Sequence, residues 1–189
     1  MDPLATVRQW LDEATTAGID EPSAMTLATA TPDGVVSARM VLLRGIDDEG
    51  LVFYTNRHSA KGRDLAANPR AAAVLHWQAL GRQVRVTGPV VETDDATSDA
   101  YFASRPRGSQ LSAWASPQSD VIADRDVLTD AVAALERRYP DAVPRPPWWG
   151  GYRIVPDVVE LWTHRDNRLH DRQRFTRVGD AWHLDLLGP

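Results

Sequence analysis

The sequence predicts an α+β fold, mainly antiparallel β, closed as an antiparallel barrel with peripheral helices. Three observations carry that reading. Short apolar or alternating segments are joined by compact turns such as Pro32-Asp33-Gly34 and Asp47-Asp48-Glu49-Gly50. Helical periodicity is inserted between groups of strands instead of alternating with each strand. No G-x-G-x-x-G or Walker loop is present, so nothing points to a doubly wound parallel sheet. A length of 189 residues suits one domain, 1–189, able to bury roughly 70% of its unfolded surface.

The first element is a helix over about 3–17: Asp2 caps it, Pro3 suits its first turn, Leu4, Val7, Leu11 and Ala14 share a face, and Gly18 ends it. From Ala24 the pattern becomes strand-like, with Met25 and Leu27 on one face. A second strand runs from Val35 to Arg44, and its unbroken apolar run Met40-Val41-Leu42-Leu43 predicts cover on both faces. Leu51–Thr55 is a third strand, Ser59–Asn68 a short helix, and Ala71–Gln78 and Arg82–Glu92 are strands joined through Gly81. A helical insertion follows over about 94–139, with helices at Asp94–Ser104 and Arg125–Tyr139. The proline-rich run Pro140–Pro147 breaks it. The chain then ends in strands (about 150–187) at Tyr152–Ile154, Val158–Thr163, Arg168–Arg174 and Trp182–Leu186.

Composition narrows the function. The chain has no cysteine, which excludes disulfides, thiolate metal sites and a cysteine nucleophile. Its opening lacks a basic stretch followed by an apolar run, and no apolar segment approaches the ~20 residues that span a bilayer, so a cytoplasmic protein without a signal peptide is expected. A net charge of −5 argues against general nucleic-acid binding. His58, His76, His164, His170 and His183 show no metal-ligand spacing, and no G-x-S-x-G elbow marks a serine hydrolase.

Against the acidic background, Arg165–Arg177 holds five arginines and one histidine. If Arg168–Arg172 is a strand, Arg168, His170 and Arg172 share a face, which suits a planar anionic ligand beside Trp162 or, equally, a solvated edge strand protected by charge. Tyr101 and Arg105 lie four apart, on one face if helical, and Ser109 follows. The three converge on a phosphate, or Arg105 merely satisfies a helix end stopped by Pro106. Ser59-Ala60-Lys61 opens a helix, where free N–H groups and an ammonium can meet an anion. Arg39 and Arg44 lie five apart, on opposite faces of a regular strand, so sharing a ligand requires a bulge or a long reach. Trp148-Trp149 is the aromatic pair expected at a subunit contact.

Taken in order, Arg39–Arg44, Phe53–Asn56, Asn68–Arg70, Gly81–Val84, Tyr101–Arg107, Ser109-Gln110, Ala113-Trp114, Gln118-Ser119, Trp149–Arg153 and Arg168–Arg172 resemble the pyridoxine (pyridoxamine) 5′-phosphate oxidase family. The resemblance implies an FMN-binding split β-barrel, a Greek-key barrel with peripheral helices, that works as a homodimer with flavin in clefts between subunits. It assigns the flavin to Arg39, Met40, Val41, Leu42, Leu43, Arg44, Tyr54, Thr55 and Lys61, completed by Gln83, Gln118, Ser119, Trp162 and Arg172, some of these from the partner. It assigns the substrate phosphate to Arg44, Tyr101, Arg105 and Ser109. Arg168, Leu169 and His170 would lie at the substrate ring, with Arg168 and His170 as the catalytic pair.

The implied reaction oxidises pyridoxamine or pyridoxine 5′-phosphate to pyridoxal 5′-phosphate, with hydride passing to FMN and molecular oxygen reoxidising it. No metal, nucleic acid or membrane is implied. The chain departs from the family pattern where Arg44 replaces a usual lysine, where Ala60 replaces a common arginine, at Glu21, and at an opening without the family's N-terminal arm. Two other functions stay open beside the vitamin oxidase: an FMN oxidase of a dihydrophenazine-type substrate in secondary metabolism, and a non-catalytic flavin- or vitamer-binding protein.

Overall fold

The structure is a computed structural model, and it describes residues 2–189. Helix α1 (Pro3–Thr16) begins where Asp2 accepts from the Leu4 N–H at 3.0 Å, and Pro3 costs nothing because a first-turn N–H has no helical partner. Its Leu4, Val7 and Ala14 are buried in the main core. Ten strands follow the antiparallel pattern throughout: β1 (Ala24–Ala30), β2 (Val36–Leu42), β3 (Gly45–Ile46), β4 (Leu51–Asn56), β5 (Arg70–Trp77), β6 (Arg82–Glu92), β7 (Trp149–Ile154), β8 (Val158–Thr163), β9 (Asp171–Val178) and β10 (Ala181–Leu186). Four more helices sit between them: α2 (Ala60–Ala67), α3 (Asp95–Ser104), α4 (Arg107–Ala115) and α5 (Asp126–Arg138).

The main path runs β10-β9-β8-β6-β5-β1-β2, and β6 joins it to a second branch of β7, β4 and β3. Through Thr87, β6 pairs with β8, and from Val90 it pairs with β7. The bend lies at Gly88, where an added Cβ would sit 2.9 Å from the Asp157 nitrogen. Only glycine lets the strand change sheets there. The curled surface encloses Met25, Leu27, Phe53, Leu75, Trp77, Val84 and Phe175. A second cluster, Phe102, Leu111, Val143 and Trp149, fixes α3, α4 and the proline-rich segment against β7.

Four expectations need correction. First, β2 is not covered on both faces within its own chain: it ends the strand order, and Met40 is 60% exposed. Its apolar run lies along a cleft at the end of the sheet.

Second, Arg168–Arg174 is not one strand. Asn167 and Arg168 take φ of +57° and +63°, which no strand tolerates, and β9 starts at Asp171. Arg168, His170 and Arg172 therefore do not form a period-two face.

Third, Pro106 and Gly108 do not simply stop a helix. Pro106 opens α4, a helix unseen in the sequence, and Arg105 lies beyond the end of α3 in extended backbone.

Fourth, Trp149 is 6% exposed and packs inside its own chain, so it is not open to a subunit contact, while Trp148 is half-buried against Trp114.

Among the described residues no helix is long and apolar enough to cross a membrane, and no cluster of metal-ligating side chains is present.

Candidate active site

A cleft of about 880 Å³ opens between β2, β4, α2, the end of α3, α4 and the loop carrying Gln118 and Ser119. Its lining includes Arg39, Met40, Val41, Leu42, Arg44, Tyr54, Thr55, Lys61, Tyr101, Arg105, Ser109, Gln118 and Ser119. Leu43 does not join them: its side chain is in the core, and its N–H donates to the Ser23 carbonyl at 2.8 Å.

The next residue explains how Arg39 and Arg44 come to share the cleft. The Arg44 N–H donates to the Val52 carbonyl of β4 at 2.8 Å, so the chain changes sheets between Leu43 and Arg44. Strand parity is lost at that step, and the expected opposition of the two arginines is lost with it.

Lys61 is the best-defined cation. Ser59 caps α2 by accepting from the Gly62 N–H, which places Lys61 in the first turn. Its Nζ donates to Thr55 Oγ1 at 3.1 Å, Ser59 Oγ at 3.2 Å and Gln118 Oε1 at 3.2 Å. All three acceptors are neutral, and Lys61 is 7% exposed. Burial, and then the Arg39 charge, push its ammonium down to about 8.

A second pair of cations forms the other part of the lining. The Arg105 guanidinium lies over Trp149, 4.7 Å from the ring centroid. Burial and the nearby Arg44 charge both press it below its ordinary value, against an opposite pull from Tyr101. Among the described residues its Nη1 is buried without a hydrogen-bond acceptor.

The wall between is aromatic. Tyr54 stacks on Tyr101 at 4.0 Å and on Trp149 at 5.5 Å. Gly151, paired with Tyr54 across β4 and β7, makes room for it, since a Cβ would lie 2.8 Å from the Tyr54 ring. Burial raises the Tyr54 hydroxyl above its usual range, so it stays protonated.

Among the described residues no aspartate or glutamate lines the cleft. Arg39 has one distant carboxylate, Asp64 at 3.8 Å, and among the described residues Arg44, Lys61 and Arg105 have none within ion-pair distance. Buried cations with only neutral partners are costly unless an anion completes them. The donor set therefore fits FMN, whose phosphate supplies that anion, better than an uncharged flavin.

Gln83, Trp162, Arg168, Leu169, His170 and Arg172 do not line this cleft. Gln83 pairs with Trp162 across β6 and β8, and Trp162 pairs with Arg172 across β8 and β9. His170 packs on Trp162 with ring centroids 4.6 Å apart, and its Nδ1 accepts from the Arg165 N–H at 3.1 Å. Along the sheet β8 lies four strand spacings of about 4.8 Å from β2. One chain thus carries two separate groups.

Ala60, read beforehand as part of an anion site, lines the cleft too, and so do six residues given no site role from the sequence: Asn56, Pro106, Ser112, Ala113, Ser116 and Trp149. Ser109, Ser112 and Ser116 show the spacing of one helical face, a signal hidden by reading Pro106 as a stop.

Residues 11–139 match the family model described as pyridoxamine 5′-phosphate oxidase, and residues 149–189 match the pyridoxine 5′-phosphate oxidase C-terminal dimerisation region. A pyridoxine/pyridoxamine 5′-phosphate oxidase of Rubrobacter xylanophilus is 53% identical over 189 residues, covering 100% of this chain and 87% of that protein. Its counterpart in Synechocystis is 52% identical, covering 99% and 88%. The crystal structure of PhzG from Burkholderia lata, in complex with tetrahydrophenazine-1-carboxylic acid, superposes with a TM-score of 0.95 at 36% identity, covering 100% of this chain and 93% of that one. A pyridoxamine 5′-phosphate oxidase-related, FMN-binding protein from Nostoc punctiforme, 19% identical and covering 100% and 98%, shares the fold with a TM-score of 0.80. The chain belongs to the pyridoxamine 5′-phosphate oxidase family and is an FMN-dependent oxidoreductase.

Proposed function

We propose that the chain oxidises pyridoxamine or pyridoxine 5′-phosphate to pyridoxal 5′-phosphate, as a homodimer, with molecular oxygen as the final electron acceptor. The observation that carries this reading is the grouping of four cations, Arg39 and Lys61, Arg44 and Arg105, in a cleft whose lining holds no carboxylate among the described residues. Two such pairs suit two phosphates, one on the cofactor and one on the substrate.

Arg39, Lys61, Thr55, Gln118 and Ser119 hold the flavin phosphate and its chain, with the Met40–Leu42 backbone and Tyr54 beside it. Arg44, Tyr101, Arg105 and Ser109 hold the substrate phosphate. When bound, FMN supplies the hydride acceptor and passes electrons to oxygen. The protein's part is orientation and water exclusion: the Trp149–Tyr54–Tyr101 stack walls the cleft, and Arg105 fixes the substrate end.

Gln83, Trp162, Arg172, Arg168, Leu169 and His170 complete the site from the partner subunit. Their separation from the cleft within one chain, and the match of residues 149–189 to a dimerisation region, support this. The Arg165 N–H occupies His170 Nδ1, which leaves Nε2 as the ring nitrogen open to the substrate.

Similarity to the PhzG structure favours a second reading, a dihydrophenazine-type acid as substrate. A carboxylate brings one negative charge where a phosphate brings about −1.5 to −2, so the Arg44–Arg105 pair favours the phosphate. The test is to incubate FMN-loaded protein with pyridoxamine 5′-phosphate in air. Pyridoxal 5′-phosphate and peroxide in equal amounts are expected. No product, with flavin bleached instead by a dihydrophenazine carboxylic acid, would overturn the vitamin reading.

A further inference from the structure

We propose that Asp64 is a positioning residue for the cofactor site, fixing the Arg39 guanidinium through two hydroxyls and so setting the preference for phosphorylated flavin. The proposal rests on the reading that Arg39 meets the flavin phosphate.

Arg39 is held along its length. Its Nη1 donates to Thr29 Oγ1 at 2.7 Å and to the Leu27 carbonyl at 3.3 Å, and its Nη2 donates to Ser37 Oγ. Both hydroxyls in turn donate to one atom, Asp64 Oδ2, at 2.5 Å from Thr29 and 3.2 Å from Ser37. A hydroxyl has a single hydrogen. Once it is committed to the carboxylate, only lone pairs face the guanidinium, and both hydroxyls become fixed acceptors. Asp64 itself stands 3.8 Å from Arg39, too far for a strong direct hydrogen bond, so it acts mainly through Thr29 and Ser37.

The arrangement is buried enough to matter: Thr29 is fully covered, and the Asp64 side chain is 13% exposed. Asp64 and Lys61 lie three apart on α2, so one helix supplies a cation to the cleft and the carboxylate that sets its neighbour. Without Asp64 the hydroxyls can rotate, so the acceptors of Arg39 are no longer fixed, and its nearest negative charge is gone. Phosphate binding then has to order a mobile side chain.

The experiment titrates apo-protein with FMN and with riboflavin by flavin fluorescence, for wild type, Asp64→Ala, Ser37→Ala, Arg39→Ala and Asp64→Ala/Arg39→Ala. Asp64→Ala is expected to weaken FMN about tenfold, and Ser37→Ala about threefold, with riboflavin changed less than about twofold. Ser37 lies on an exposed strand, so its variant keeps the test alive if Asp64→Ala folds poorly. In the Arg39→Ala background, Asp64→Ala should add less than about twofold. Equal losses for both flavins, no loss for FMN, or an undiminished Asp64 effect without Arg39 would each overturn the proposal. A wild type that binds both flavins equally would instead overturn the underlying reading of the cleft.

Discussion

The cleft and the Trp162 patch both carry arginine and aromatic rings, yet they treat charge in opposite ways. In the cleft, Lys61 is surrounded by hydroxyls and an amide, and Arg105 keeps a buried donor unused. In the patch, Arg172 donates to Glu160 at 2.9 Å and to the Gly188 carbonyl at 2.9 Å, and Glu160 also pairs with Arg85. One region waits for an anion, while in the other Arg172 already holds a carboxylate of its own chain. Affinity for phosphate should therefore reside in the cleft, and the patch should contribute stacking and ring contacts.

The largest expected effect comes from Lys61→Met. Losing a charge-assisted hydrogen bond to the flavin phosphate should weaken FMN by roughly ten- to a hundred-fold, read by fluorescence quenching, with little change for riboflavin. An equal loss for riboflavin would mean that Lys61 acts on packing.

Next comes Arg105→Ala. The KM for pyridoxamine 5′-phosphate should rise about tenfold or more while bound flavin stays at wild-type content, because ground state and transition state share that phosphate contact. A fall in flavin content would move Arg105 into the cofactor set.

A smaller effect is pH-dependent. The Lys61 ammonium is held at about 8 in the folded chain against an ordinary value near 10.5. Between these values the unfolded chain binds more protons, so apo-protein stability should rise with pH across that window and be lost as pH falls through about 8. Phosphate reverses the balance by favouring the charged ammonium, so FMN affinity should fall as pH rises above about 8. Calorimetric titrations at several pH values check this, and Lys61→Met should flatten the profile.

The smallest effect is expected from Glu160→Gln in the patch. Glu160 is 7% exposed, so breaking its pairs should cost about 1 kcal/mol or more of stability. The ratio of FMN to riboflavin affinity should nevertheless stay within about threefold of wild type. A larger change in that ratio would erase the distinction between the two regions.

Local chemistry made much of this readable. Asp2 and Pro3 mark α1, Ser59 marks α2, and the turns at Gly34 and Gly81 separate strands at nearly their observed ends. Most cleft residues were also nameable in advance through the ordered motifs. What stayed hidden depends on contacts distant in sequence. Arg44 joins Arg39 only because its N–H finds Val52 on another branch of the sheet. The positive φ of Asn167 and Arg168 has no glycine to announce it. Asp64 looks like an ordinary helical carboxylate until Thr29 and Ser37 are brought to it by the pairing of β1 with β2.

The measurement closest to the central claim is anaerobic reduction of the FMN-loaded protein by pyridoxamine 5′-phosphate and by pyridoxamine, for wild type and Arg105→Ala. If the cleft holds a second phosphate through Arg44 and Arg105, the phosphorylated vitamer should bleach wild-type flavin at concentrations at least about a hundredfold lower, and the substitution should remove most of that advantage. Equal bleaching by both vitamers in wild type, unchanged by Arg105→Ala, would contradict the account.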